Sequence, residues 1–336
     1  SLEGAVPGTL GETRILYRLT GQTVWQETNW TRVDQDLDFT CQTKLSNLLS
    51  GMKYEIRVEA RSGKQSGQVI TGNFRTAPAP LQASRVLFTV TTGQKYGEQE
   101  TPHGYKMYSE MLKLTPDFFV HTGDIIYYDY GAKTIPLARW YWQRMYSLPG
   151  NIDFHRQVAS YFMKDDHDTW MNDCWPSMKT LFMGEFTFEN GKEIFLEQVP
   201  MDKRTWRTVR WGKDLQIWMV EGRDFRSPNT IKDGPKKTVW GKEQMAWFKK
   251  TFKESDATYR ILISPTPIVG PDRFSKNDNH ANSGFQHEGQ IIRKYIAEHK
   301  NAFVICGDRH WQYVSKDLKT GLQEFSCGPV TDEHAG

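Results

Sequence analysis

Three apolar runs in this chain each stop on carboxylates. "DFFVHTGD" ends at Asp124, "SYFMKDDHD" at Asp165, Asp166, His167 and Asp168, and "AFVICGDRH" at Asp308 and His310. A short apolar run bounded by turn residues reads as a buried strand. Between and around these runs, "GYKMYSEMLKL", "TIPLARWYWQRMYSL", "GKEQMAWFKKTFKES" and "EGQIIRKYIAEH" have helical spacing. Strands alternating with helices predict a layered α/β core. Ligands of such sheets sit at the carboxyl ends of the strands. The three acidic ends are therefore expected to share one crevice. Four or five carboxylates gathered there cannot all stay ionised without a counter-charge. Aspartate oxygens, imidazole and phenol suit hard or borderline divalent and trivalent ions, so the sequence predicts a centre of two metals. A lone acid at a strand end is commonly a helix cap, a use that Asp168 and Asp173 fit. Three acids and a histidine within four residues have no easy core explanation.

The rhythm is different from about residue 12 to 76. "RILYRL", "TVWQET", "LDFTCQTKL", "KYEIRVEA" and "QVITGNFRT" read as five short strands broken by Gly, Asn and Ser. Leu45, Leu48 and Tyr54 in "LSNLLSGMKYEIRVEA" resemble the fibronectin type III pattern of two leucines, a turn and a corner tyrosine. That sandwich usually has seven strands, so a reduced domain, or strands upstream of residue 1, are both open. "TAPAPLQAS" reads as a linker, since Pro78 and Pro80 block pairing. The expected division is residues 1–76, a small all-β sandwich; 77–84, a linker; and 85–336, the α/β domain.

Net charge is +3, which makes no electrostatic case for nucleic acid or an anionic membrane. No apolar run approaches the ~18 residues of a transmembrane helix. Cys41, Cys174, Cys306 and Cys327 form no CxxC pair and read as small buried side chains, not a disulfide scaffold or zinc finger. The opening "SLEGAVPGTLGETR" is neither an apolar leader nor an initiating Met, so a processed or trimmed product is expected. Nothing in the sequence specifies an oligomeric state.

The motif order resembles the calcineurin-like metallophosphoesterase superfamily, and within it the alkaline phosphatase D-like (PhoD-like) phosphatases and phosphodiesterases. "GDIIY" stands for that branch's GDxIY, "DDHD" for DDHE, "GRDFR" for R-x-[YF]-R and "GDRH" for GDxH. The resemblance covers nearly the whole chain. It implies a four-layer αββα core behind a small fibronectin III-like sandwich, and hydrolysis of phosphate esters by a hydroxide generated at two metals. Carried over by residue, it implies that Asp124 bridges the metals. Tyr127, Asp166, Asn172, Asp308 and His310 complete their shell, His167 is the general acid, and Arg223 clamps a phosphate oxygen. Secretion or a periplasmic location is implied with it. The branch usually has Cys-Gln where this chain has Gly93-Gln94. Loss of a thiolate favours an oxygen-only shell, hence Ca, Mg or Mn over iron; Ca is expected at one site, with Fe, Mn, Mg or Zn at the other.

Gln94, His280 and Trp311 are the candidate substrate contacts. The loop "KNDNHANSGFQHE", which holds His280, reads equally as a substrate loop or as solvated surface. Trp140, Trp142, Trp170, Trp175 and Trp311 read as core or as pocket walls, and Trp170 and Trp311 flank the acidic motifs. The expected substrates are small-molecule or lipid phosphate esters. A phospholipase-type diesterase with the same site, and a non-catalytic binding or adhesion protein on a degenerate phosphatase fold, are the competing readings. Gly93 is the feature that favours the last.

Overall fold

The computed structural model describes residues 2–273 and 275–332. The remaining residues of the expected domain ranges (1, 274 and 333–336) lie outside it. The N-terminal part is one sheet of six strands: β1 (Glu12–Leu19), β2 (Gln26–Glu27), β3 (Thr31–Arg32), β4 (Lys53–Ser62), β5 (Gln65–Ser66) and β6 (Ile70–Arg75). β1 pairs antiparallel along its whole length with β4, and β4 with β6. The Leu49 N–H donates to the Tyr54 hydroxyl at 2.8 Å, which is the bond a corner tyrosine makes. Two expected strands are cut down. "TVWQET" pairs only at Gln26–Glu27, and "LDFTCQTKL" forms no strand. Asp34 accepts from the Asp36 N–H and starts a short 3-10 turn, Gln35–Leu37, and a local turn of this kind competes with sheet pairing.

The rest of the chain runs β7 (Phe88–Thr91), α1 (Lys106–Lys113), β8 (Phe118–His121), α2 (Ile135–Tyr146), α3 (Pro149–His155), β9 (Ala159–Phe162), α4 (Phe188–Gln198), β10 (Arg207–Trp211), β11 (Leu215–Met219), α5 (Gly241–Glu254), β12 (Tyr259–Ser264), α6 (Gln286–Ala297), β13 (Ala302–Cys306), β14 (Tyr313–Lys316) and β15 (Gln323–Ser326). β7, β8 and β9 form a parallel sheet. The second sheet has the order β10-β11-β12-β13-β15-β14, parallel from β11 to β15 with an antiparallel strand at each edge. Alternate residues of each strand serve different cores. Phe118 and Val120 meet Ile217, Met219 and Ile263 between the sheets. Phe119 faces outward onto Tyr108 and Phe154. Trp218, Leu262 and Val304 face the opposite way, onto Phe248, Phe252 and Ile292 of α5 and α6. Each such side chain contributes about 1.5–3 kcal/mol by leaving water. The two sheets are tied together beyond β7 and β15. There the Thr92 N–H donates to Gly328 O and the Val330 N–H to Gly93 O, each at 3.1 Å.

Two helices are absent from the sequence reading. α3 opens on Pro-Gly, which reads as a turn, yet Pro149 occupies a position where a helix needs no N–H. α4 begins with a reciprocal Thr187–Asn190 capping box. Its Gly191 lies so close to the loop after β9 that a Cβ there would sit 1.9 Å from Thr169 O. Alanine is the better helix former by about 1 kcal/mol. Even so, Gly191→Ala is expected to lower stability by about 1–3 kcal/mol, because helix and loop must part. Urea unfolding checks this, and a stability at or above the parent's would contradict the close packing.

Candidate metal centre

The acids gather where β8, β9 and β13 end, and glycine lets the strand ends approach. A Cβ on Gly123 would lie 2.6 Å from the Asp165 nitrogen and Cβ, and one on Gly307 2.2 Å from Thr122 Oγ1. The residues after them turn sharply. Asp124 (φ 58), Asp308 (φ 70) and His310 (φ 55) are all left-handed. Asp and His enter that region more readily than most side chains, and such strain concentrates at functional sites.

One carboxylate oxygen from each of Asp124, Asp165, Asp166 and Asp308 lies within 4.8 Å of the others, and Asp124, Asp166 and His167 form an overlapping group on the same limit. His310 Nε2 is 2.9 Å from Asp124 Oδ2. Burial, then Asp166 and Asp165, push the Asp124 carboxyl well above the carboxylate range. Burial pushes Asp308 the same way against the pull of Arg309. Burial lifts Asp165 to about 6, with Arg223 opposing. Asp166 moves the other way: despite burial, Arg223, His167 and the Asp173 N–H hold it below the usual range. Asp124 Oδ1 and Asp165 Oδ2 are buried without a hydrogen-bond partner. Buried oxygens without donors, on acids that resist ionising, are what a cation would satisfy. The all-oxygen and imidazole donor set fits a hard or borderline metal.

His167 is held from behind. Its Nδ1 lies 2.8 and 2.9 Å from the two oxygens of Asp129, and Asp166 and Asp129 raise it to about 9 against burial. The Tyr127 ring stands 4.2 Å from the His167 ring, and burial and Asp124 push its phenol up. Arg223 is wholly buried. Its Nε donates to Asp165 at 2.6 Å and Nη2 is 3.5 Å from Asp166 Oδ2, while Nη1 and Nη2 have no hydrogen-bond partner. Asp168 spends both carboxylate oxygens on the Ile125 and Asp165 N–H groups and so braces the loop, in keeping with a cap.

Other expected contacts stand further off. Asn172 is exposed, and its main-chain N–H reaches Asp129 at 3.0 Å. Gln94 is buried. It accepts from Tyr108 Oη at 2.6 Å and donates its N–H to Asp124 O, so it braces the strand end. His280 is also wholly buried, 2.8 Å from Glu288, which in turn accepts from the Val239 N–H. Its loop is not solvated surface: Asp278 and Asn279 are buried, and Arg309 grips Asp278 at 2.8 Å and Asp272 at 2.7 Å. Trp311 is 38% exposed beside His310, whereas Trp142 and Trp170 belong to the core. All four cysteines are free. Sequence reasoning counted Asp165 among the gathered acids but gave it no role, and it did not name Asp129. The signals for them were the second acid of "GDIIYYD" and the first of "DDHD".

The sequence model of a family described as "PhoD-like phosphatase" matches residues 88–336. No curated protein sequence matches the chain. Among solved structures, one titled "Structure of PhoD" superposes with a TM-score of 0.80 at 18% identity, over 98% of this chain and 72% of that one. A purple acid phosphatase, PPD1, from yellow lupin (Lupinus luteus) seeds has a TM-score of 0.62 at 13% identity, over 96% of this chain and 60% of that one. At these identities the likeness is one of fold. Among the described residues, no helix is long and apolar enough to cross a membrane.

Proposed function

Since this chain belongs to the PhoD-like phosphatase family, we propose that it hydrolyses phosphate esters at a pair of metal ions held where its strands end. The observation that carries this reading is the group of four carboxylates, three of them buried, in which Asp124 and Asp165 each keep an oxygen that lacks a donor. Asp124, Asp165, Asp166, Asp308 and His310, with Tyr127, would hold the ions, and Asn172 is a further candidate donor. When bound, two such ions supply a Lewis acid and an acidified water. With no thiolate among the grouped donors, Ca is the ion proposed for one position, and Fe, Mn, Mg or Zn for the other.

The chain's own side chains do the rest. The Nη atoms of Arg223, which make no hydrogen bond within the protein, point to a role in holding phosphate oxygens. Asp129 fixes the His167 ring by its Nδ1, which leaves Nε2 to give a proton to the departing oxygen. Gln94 and His280 support the site from within, and Trp311 borders its mouth. We assign residues 85–336 to this activity. We read residues 1–76 as a fibronectin III-like module joined by 77–84, a reading supported by the Tyr54 corner bond. Export follows from the resemblance alone, and fractionation tests it: activity confined to the cytoplasmic extract would refute it.

The primary test pairs metal analysis with turnover of p-nitrophenyl phosphate and its bis-ester. About two ions per chain with hydrolysis of either ester supports the reading, and the preferred ester separates phosphatase from diesterase. Bound metal without turnover of either would end it. His167→Asn is expected to keep the metals and to slow esters of poor leaving groups most, by about 10²–10⁴-fold. An equal loss on every leaving group would argue against a general acid, and loss of metal would instead make His167 a ligand.

A further inference from the structure

Next to the carboxylates is a cavity of about 200 Å³, lined by Lys95, Tyr96, Tyr127, Tyr130, Tyr141 and Arg144. Tyr127 and Tyr130 connect it to the site, their rings 4.2 and 5.9 Å from the His167 ring. Arg144 is unlike four of the cations nearer the carboxylates. Lys164, Arg223, Lys276 and Arg309 each have a carboxylate partner. Among the described residues Arg144 has none within ion-pair reach, and its Nε is buried without a hydrogen-bond partner. Its guanidinium lies over the rings of Tyr96 and Tyr141, 4.4 and 3.6 Å from their centroids. Stacking of this kind occupies the faces of the guanidinium and leaves its N–H edge for an anion in the plane. Lys95 also lines the cavity, but Glu98 balances it at 2.8 Å. The cavity thus carries one uncompensated positive charge.

Building on the phosphate-ester reading, we infer that this cavity receives the leaving group of the ester, and that this leaving group carries a second anionic group, a carboxylate or phosphate, which pairs with Arg144. The cavity lies on the His167 side, where the leaving oxygen takes its proton. Ile125, Ile126 and the tyrosine rings give it apolar walls that suit a ring or short chain between the two anions. A cavity of this size suits a small organic acid or phosphate.

The test compares kcat/KM of the metal-loaded protein with that of Arg144→Met and Arg144→Lys on three esters: phenyl phosphate, 4-carboxyphenyl phosphate and hydroquinone bisphosphate. Comparing variant with parent cancels the intrinsic ease of each leaving group. The parent should favour the charged esters, and Arg144→Met should cut that preference by about 10- to 100-fold, the worth of a hydrogen bond to a charged group. Arg144→Lys should keep part of it. The favoured charged ester tells carboxylate from phosphate. A preference that Arg144→Met leaves intact overturns the proposal. Should that variant fail to fold, Tyr141→Leu removes one stacking face and carries the same expectation. If the parent hydrolyses none of the esters, the phosphate-ester reading fails by itself. The cavity is then tested by calorimetric titration with 4-carboxyphenylphosphonate. Binding that Arg144→Met removes upholds it, and no binding or equal binding overturns it.

Discussion

Replacement of Asp124 by asparagine is expected to abolish both metal binding and hydrolysis, with a fall in kcat/KM on the order of 10³-fold or more, since it removes a donor from the ions that supply the chemistry. The expected effect on stability has the opposite sign. In the metal-free protein Asp124 is buried among Asp165, Asp166, Asp168 and Asp308, and both burial and these neighbours oppose its charge. An amide has the same shape without that penalty, and it still offers an oxygen to His310. Metal-free Asp124→Asn should therefore unfold no earlier than the metal-free parent, and only the parent should gain stability when a divalent cation is added, as binding to the native state requires. Thermal unfolding with and without chelator, alongside metal analysis, reads both effects. A variant that still gains stability from the metal would remove Asp124 from the centre.

The largest stability loss is expected from Lys164→Met. Lys164 Nζ lies 2.8 Å from both Glu221 and Asp224, and the three side chains are 1%, 0% and 6% exposed. Burial works against the ammonium, but Asp224 and Glu221 outweigh it and keep it charged. Without the lysine, two carboxylates remain in a dry setting with no cation between them, a loss of about 3–5 kcal/mol for a broken buried pair. The damage should extend to the site, because Glu221 also accepts the Arg223 N–H at 2.8 Å, and Arg223 holds Asp165. Urea unfolding should show that adding Asp224→Asn to Lys164→Met recovers part of the loss, the coupling expected of residues in one network. A loss under about 1 kcal/mol, or strictly additive effects, would show that the three groups do not act as one unit.

Neither Lys164 nor Arg144 stood out in the sequence, and the reason is the same for both. A lysine next to "DDHD" and an arginine in an aromatic helix look like ordinary charged residues until their partners, about 60 positions away or on a neighbouring turn, are known. His280 shows the converse. Its Asn- and Asp-rich loop has the composition of solvated surface, yet Arg309 draws that loop inward through Asp272 and Asp278. The strand "LDFTCQTKL" failed because an aspartate just ahead of it closed a local turn. The helix α4 went unseen, although its capping pair, Thr187 and Asn190, is local and was there to be read.

By itself the sequence determined the α/β order, the strands that end in acids and the glycines placed before two of those acids. All of these are local: apolar periodicity selects a strand, and only glycine tolerates backbone packed against its α-carbon. Tertiary structure alone decided how closely the gathered carboxylates approach and which charges go unpaired. It set the oxygens of Asp165 and Asp124 within 4.8 Å, placed Asp129 behind His167, sank Arg223 beneath the acids and left Arg144 facing a cavity. Coulomb interaction and desolvation depend on distance and burial, and separation along the chain predicts neither.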